Sequence, residues 1–129
     1  MKCIMASREL LMEILEELKA ILGITDKVKL ELRPLKTKAA SISLRRKVIR
    51  ISKYLIPKLD EVSLRYLIFH ELVHLKLRTI HHTQDFYKLI HSVFDEETVK
   101  RSEERILASL IELNCKHIRC VRNRLSDLF

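Results

Sequence analysis

The chain is poor in the residues that interrupt or cross-link a fold: its 129 positions hold one glycine, two prolines, three cysteines and no tryptophan. The cysteines, Cys3, Cys115 and Cys120, are odd in number and show no Cys-x-x-Cys spacing. That excludes a disulfide framework and a zinc finger and leaves free thiols. No apolar run approaches the roughly 20 residues of a membrane helix. Arg8 and Glu9 arrive too early for the apolar core of a signal peptide. The expectation is a cytoplasmic protein with no membrane partner. Internal repeats and low-complexity tracts are absent as well.

What is present is a hydrophobic fraction of 47% beside a charged fraction of 33%, the balance of a soluble globular chain. Its length fits one domain with a modest core. The abundance of Lys, Glu, Ile and Leu resembles the charge-rich, loop-poor usage of hyperthermophile proteins. A net charge of +8 favours anionic partners. The basic residues are spread along the chain rather than gathered in one tract, so a solvated surface is preferred over a nucleic-acid interface.

The apolar period changes along the chain. Leu10, Leu11, Ile14, Leu15, Leu18, Ile21 and Leu22 recur at helical spacing after Ser7, a capping residue, and Gly23 is placed to end that helix. From Val28 the period becomes two until Pro34. Ala40, Ile42 and Leu44, then Val48, Ile49 and Ile51, repeat it on either side of Arg45-Arg46-Lys47, which predicts a hairpin turning at the basic triplet. Asp60 or Ser63 caps a helix from about 60 to about 79 that is apolar around most of its circumference and therefore central. A third helix follows Thr83, with Phe86, Leu89, Ile90, Val93 and Phe94 on one side. Asp95-Glu96-Glu97 opens a fourth, whose apolar side runs from Ile106 to Leu125. The predicted class is α+β: an N-terminal helix, a small three-stranded sheet, the central helix and further C-terminal helices.

The central helix carries His70-Glu71-Leu72-Val73-His74. At 3.6 residues per turn the two histidines share one face, one turn apart, and can reach one metal ion. Glu71 is offset and can address a water rather than the metal. A catalytic site wants three protein ligands and an open position. His82 is the first candidate for the third, since a short loop can bring it back, His81 is its neighbour and alternative, and Glu103 or Glu104 can serve from a later helix. An ordinary buried histidine is satisfied by hydrogen bonds, but two of them flanking a glutamate on a buried helix favour a metal.

His70-Glu71-Leu72-Val73-His74 followed by His82-Thr83-Gln84-Asp85-Phe86-Tyr87 resembles the His-Glu-x-x-His plus His-x-x-x-Phe-(Trp/Tyr) pattern of minigluzincins. It is similar too to YgjP-like and SprT-like zinc peptidases and to the catalytic core of HtpX-type membrane peptidases. The likeness covers about residues 7 to 95 as an architecture, while its specific residues lie within 65 to 87. It implies a minimal zincin-like domain binding Zn2+ through His70, His74 and His82, with Glu71 as general base and acid. Seven residues separate His74 from His82, against five in YgjP-like proteins, which keeps His81 in contention.

The expected activity is hydrolysis of a peptide or protein substrate. Zinc lowers the pKa of a bound water from 15.7 towards about 7 and polarises the scissile carbonyl. An edge strand, near Ile42 to Leu44 or near Val48 to Ile51, aligns the substrate by strand addition. Tyr87, Tyr54 and His91 are candidates for holding the oxyanion. The whole of 1–129 is read as one domain, with a catalytic core of about 7–101. The resemblance implies that residues about 102–129 block the cleft, as in a zymogen, or exchange between two chains of a homodimer. Two alternatives are an SprT-like protease recruited to nucleic acid and a non-enzymatic helical module contacting nucleic acid through Lys116, Arg119, Arg122 and Arg124.

Overall fold

Residues 8–114 are described by the computed structural model; the expected cap Ser7 and the stretch 115–129, with Ile118, Val121, Leu125 and the basic series from Lys116 to Arg124, lie outside them. Helix α1 spans Arg8–Leu22 and buries Leu11, Ile14, Leu15, Leu18 and Leu22 along one stripe. Gly23 ends it at φ 70°. There its N–H reaches Ala20 O at 3.1 Å while the N–H of Ile24 reaches Lys19 O at 2.9 Å. These two bonds satisfy carbonyls that the helix end would leave bare, and only glycine reaches this backbone region without a steric penalty.

Strands β1 (Lys29–Arg33), β2 (Ala40–Ser43) and β3 (Val48–Ser52) form a sheet in the order β1-β3-β2. β1 runs parallel to β3, with Leu30 opposite Ile49, and β2 is antiparallel to β3, with Ile42 also opposite Ile49. β3 is therefore the central strand, which corrects the expectation that Val48 to Ile51 offers a free edge. The physical sign was its near-continuous apolar sequence: Val48, Ile49 and Ile51 are all buried, as in a strand covered on both faces. β2 is the edge strand next to the motif helix.

The hairpin turns at the basic triplet as expected, through Leu44 to Lys47. The left-handed position that glycine or asparagine usually fills is taken by Lys47 at φ 56°. Its N–H donates to Ser43 O at 2.7 Å and its Nζ pairs with Asp26 Oδ2 at 2.6 Å, which holds the residue there.

After a short 3-10 turn at Ile56–Lys58, Asp60 caps α2, Glu61–Leu77, accepting from the Ser63 N–H at 3.3 Å. α2 packs against α1, β2, α3 and α4, which is why every residue from Ser63 to Leu75 except Arg65 is buried. Thr83 caps α3, Gln84–Val93, and Asp95 caps α4, Glu96–Leu113. α4 runs unbroken across residues 101 and 102, and it buries Ser102, Ile106, Ser109 and Leu110. The stretch 102–113 thus belongs to the same packed body as the motif helix. No helix among the described residues is long and apolar enough to cross a membrane.

Candidate metal centre

Tyr66, His70 and His74 follow one another at one-turn intervals along α2, so their side chains share a face. His82 enters from the loop that follows. His70, His74 and His82 each offer a nitrogen, and the three nitrogens lie within 4.8 Å of one another. Their ring centroids are 4.8 to 5.1 Å apart. Phe86, fully buried at the start of α3, backs all three rings at 4.8, 4.6 and 4.9 Å. His81 is exposed and stays outside the group, its backbone N–H held by Thr79 Oγ1 at 3.1 Å. Of the two later carboxylates, Glu104 is exposed and Glu103 accepts the Tyr66 hydroxyl at 2.6 Å.

The end of α2 explains how a seven-residue spacing still delivers His82. Arg78 adopts φ 54° and its N–H donates to Leu75 O at 3.2 Å, while the N–H of Thr79 donates to His74 O at 3.1 Å. The chain reverses there. The Thr79 carbonyl then accepts from His74 Nδ1–H at 2.9 Å. A carbonyl can only accept, so this bond protonates Nδ1 and leaves the Nε2 lone pair for a ligand, the support expected of a metal-bound histidine. Thr79 was not legible as a site residue, because its backbone rather than its side chain does the work. Thr83, whose Oγ1 accepts from the Phe86 N–H at 3.2 Å, starts α3 where Phe86 meets the histidines.

Burial sets the charges. It pushes His70 down to about 4, with the Glu103 carboxylate opposing, and it pushes His74 down to about 4 against the pull of Glu71. Both rings are neutral at pH 7, the form that binds a metal. Glu71 is 2% exposed and burial raises it to about 7, against the charges of His74, His82 and Lys38. Its Oε2 lies 3.4 Å from His70 Nδ1 and takes no hydrogen bond among the described residues. Three converging imidazoles and a buried carboxylate oxygen with unspent acceptor capacity fit a divalent ion with a position left for substrate or water. Among the oxyanion candidates, Tyr87 stands 46% exposed with its ring 6.3 Å from that of His82. Tyr54 lies under the Lys53 ammonium, and His91 turns Nδ1 towards Phe94 O at the end of α3.

The chain resembles known proteins in sequence and in fold. The model of the YgjP-like metallopeptidase domain matches residues 5–106. A protein of Aquifex aeolicus is 48% identical over 81 residues, covering 63% of this chain and 73% of its own. The crystal structure of the metallopeptidase zymogen of Pyrococcus abyssi abylysin superposes with a TM-score of 0.72 at 35% identity, over 78% of this chain and 94% of that one. That of the metallopeptidase zymogen of Methanocaldococcus jannaschii jannalysin gives 0.72 at 33%, over 78% and 97%. With the family match spanning most of its length and three histidines gathered from the motif helix and the loop after it, the chain belongs to the YgjP-like metallopeptidases.

Proposed function

We propose that this metallopeptidase is a zinc-dependent endopeptidase in which His70, His74 and His82 hold the ion and Glu71 is the general base and acid. The observation that supports it best is the convergence of three nitrogens beside a buried, unsaturated carboxylate. Imidazole donors in a set of three suit zinc. When bound, the ion supplies Lewis acidity towards water and the scissile carbonyl.

The remaining work falls to side chains and backbone of this chain. Glu71 takes a proton from the attacking water and passes it to the amine as the C–N bond breaks, the role of a buried carboxyl with an oxygen free to accept. The Thr79 carbonyl keeps His74 in one tautomer. Tyr87, exposed beside His82, is the candidate we favour to donate to a developing oxyanion. The free side of β2 offers backbone donors and acceptors to an extended substrate.

Two solved relatives are zymogens, which supports latency here; of the expected blocking stretch of about 102–129, residues 102–113 are part of α4, so the proposed block narrows to residues 115–129. The decisive experiment is metal content together with hydrolysis of an unfolded protein. Wild type should hold one zinc per chain. His74→Ala and His82→Ala should lose it, and His81→Ala should keep it. Glu71→Gln should keep the ion and lose at least about 100-fold in rate. A metal-free wild type or an active Glu71→Gln variant sinks the reading.

A further inference from the structure

One polar pair in the wall of the site joins the motif helix to α4, a helix that supplies none of the three histidines. Tyr66 lies one turn before His70 on α2, and its ring meets the His70 ring edge-on at 5.8 Å and 69°. It also meets Phe94 at 5.8 Å and 89°. Tyr66 is 2% exposed, so its hydroxyl needs a protein acceptor. It donates to Glu103 Oε2 of α4 at 2.6 Å, the short length of an O–H bond to a carboxylate. Burial and the Glu103 charge both raise the phenol, so it remains a donor.

We propose that Tyr66 and Glu103 are positioning residues for His70, through which α4 holds the metal site in its binding geometry. The inference rests on the reading of the histidines as ligands. An imidazole with freedom about two side-chain torsions aims its nitrogen only if its neighbours are themselves fixed. Phe86 fixes one side of the His70 ring by packing. Tyr66 fixes another, and its own ring is anchored by a bond to a different helix. The half-buried Glu103 carboxylate further offsets the cost of bringing a divalent cation into a buried site. Packing alone does not call for this pair, because phenylalanine at 66 fills almost the same volume and desolvating a carboxylate costs stability.

The test is titration of Co2+ into the metal-free full-length protein, read by competition with a chelator and by the visible absorption of the Co2+ form. Tyr66→Phe and Glu103→Ala should each weaken binding by about 10-fold or more and shift the Co2+ bands. Glu103→Gln, which keeps an acceptor, should fall between them and wild type. The double variant Tyr66→Phe with Glu103→Ala should be no worse than the weaker single one. A folded Tyr66→Phe protein with wild-type affinity and spectrum overturns the proposal. If circular dichroism shows that Tyr66→Phe does not fold, unchanged affinity and bands in Glu103→Ala overturn it equally. Wild type that binds no Co2+ removes the ligand assignment itself, an outcome distinct from variants that bind as well as wild type.

Discussion

At the scale of single residues, Arg78 bears a conformational cost in placing His82. It sits at φ 54°, where an L-residue with a Cβ is disfavoured, and its side chain is 69% exposed, with a distant ion pair 4.0 Å from Asp26 Oδ2. Little is lost by removing it. Arg78→Gly should stabilise the protein by about 1 kcal/mol and raise the melting temperature by a few degrees, measured by calorimetry, with the metal still bound. A fall in melting temperature refutes the strain. Phe86 is the opposite case, fully buried against three imidazoles. Phe86→Ala should cost about 3 kcal/mol or more in urea unfolding and weaken metal binding together. The same scale shows what sequence can carry. His70, Glu71 and His74 follow from spacing on a helix whose apolar circumference announces its burial. The third histidine was named first as His82 because a short loop can bring it back, but what separates it from His81 is the backbone of Arg78 and the Thr79 bonds, and main-chain bonds leave no signature in residue type. Tyr66 carried no signal of its own in the sequence, because its bond to Glu103 spans 37 residues and depends on how α4 crosses α2.

At the scale of elements, each helix near the site begins at a side-chain cap, and these starts fix where the chemistry sits. Thr83 positions the first turn of α3, and with it Phe86. Thr83→Ala should cost about 1 kcal/mol and raise hydrogen exchange in the first turn of α3 before it affects α2. Exchange that rises equally in both helices counts against a local cap. Carboxylates anchor other joints. The Thr98 hydrogen bonds lower Asp95, Lys47 lowers Asp26 at the hairpin, and Arg65 of α2 lowers Glu17 of α1. Each folded value lies below the unfolded one, so the stability these groups add is complete above the unfolded pKa near 4. It is lost as pH falls through the lower folded values. Acid titration followed by circular dichroism should show loosening below about pH 4, and Asp26→Asn should flatten that slope. The sheet was half legible for a related reason. Alternation gives strands and the basic triplet gives a turn, but strand order is a tertiary choice. The double-sided burial of β3 was the one clue that it lies between its neighbours.

At the scale of the whole molecule, α4 ties the motif helix to the segments that lead into β2 and α2. Glu103 bonds to Tyr66 on the motif helix, Glu112 pairs with Lys58 at 2.8 Å, and the Asn114 side chain donates to Lys36 O in the loop that leads to β2. Ile106 and Leu110 are both 0% exposed within the common core. A boundary at residue 101, the one the family resemblance implies, cuts through α4, which runs unbroken from Glu96 to Leu113. Removing two fully buried aliphatic side chains sacrifices roughly 1.5–3 kcal/mol each, a large share of the 5–15 kcal/mol that holds a domain together. The two truncations should differ in kind. A chain ending at residue 101 should show non-cooperative melting and no tight metal binding. One ending at residue 114 should melt cooperatively, hold its ion, and hydrolyse unfolded protein faster than the full chain if residues 115–129 confer latency. Melting by circular dichroism, metal content and hydrolysis on the three lengths separate these outcomes. A stable, metal-loaded protein ending at 101 would show that α4 is dispensable and would detach Glu103 from the site. A well-folded protein ending at 114 that is no more active than full length would remove latency from residues 115–129 while leaving the metal site intact.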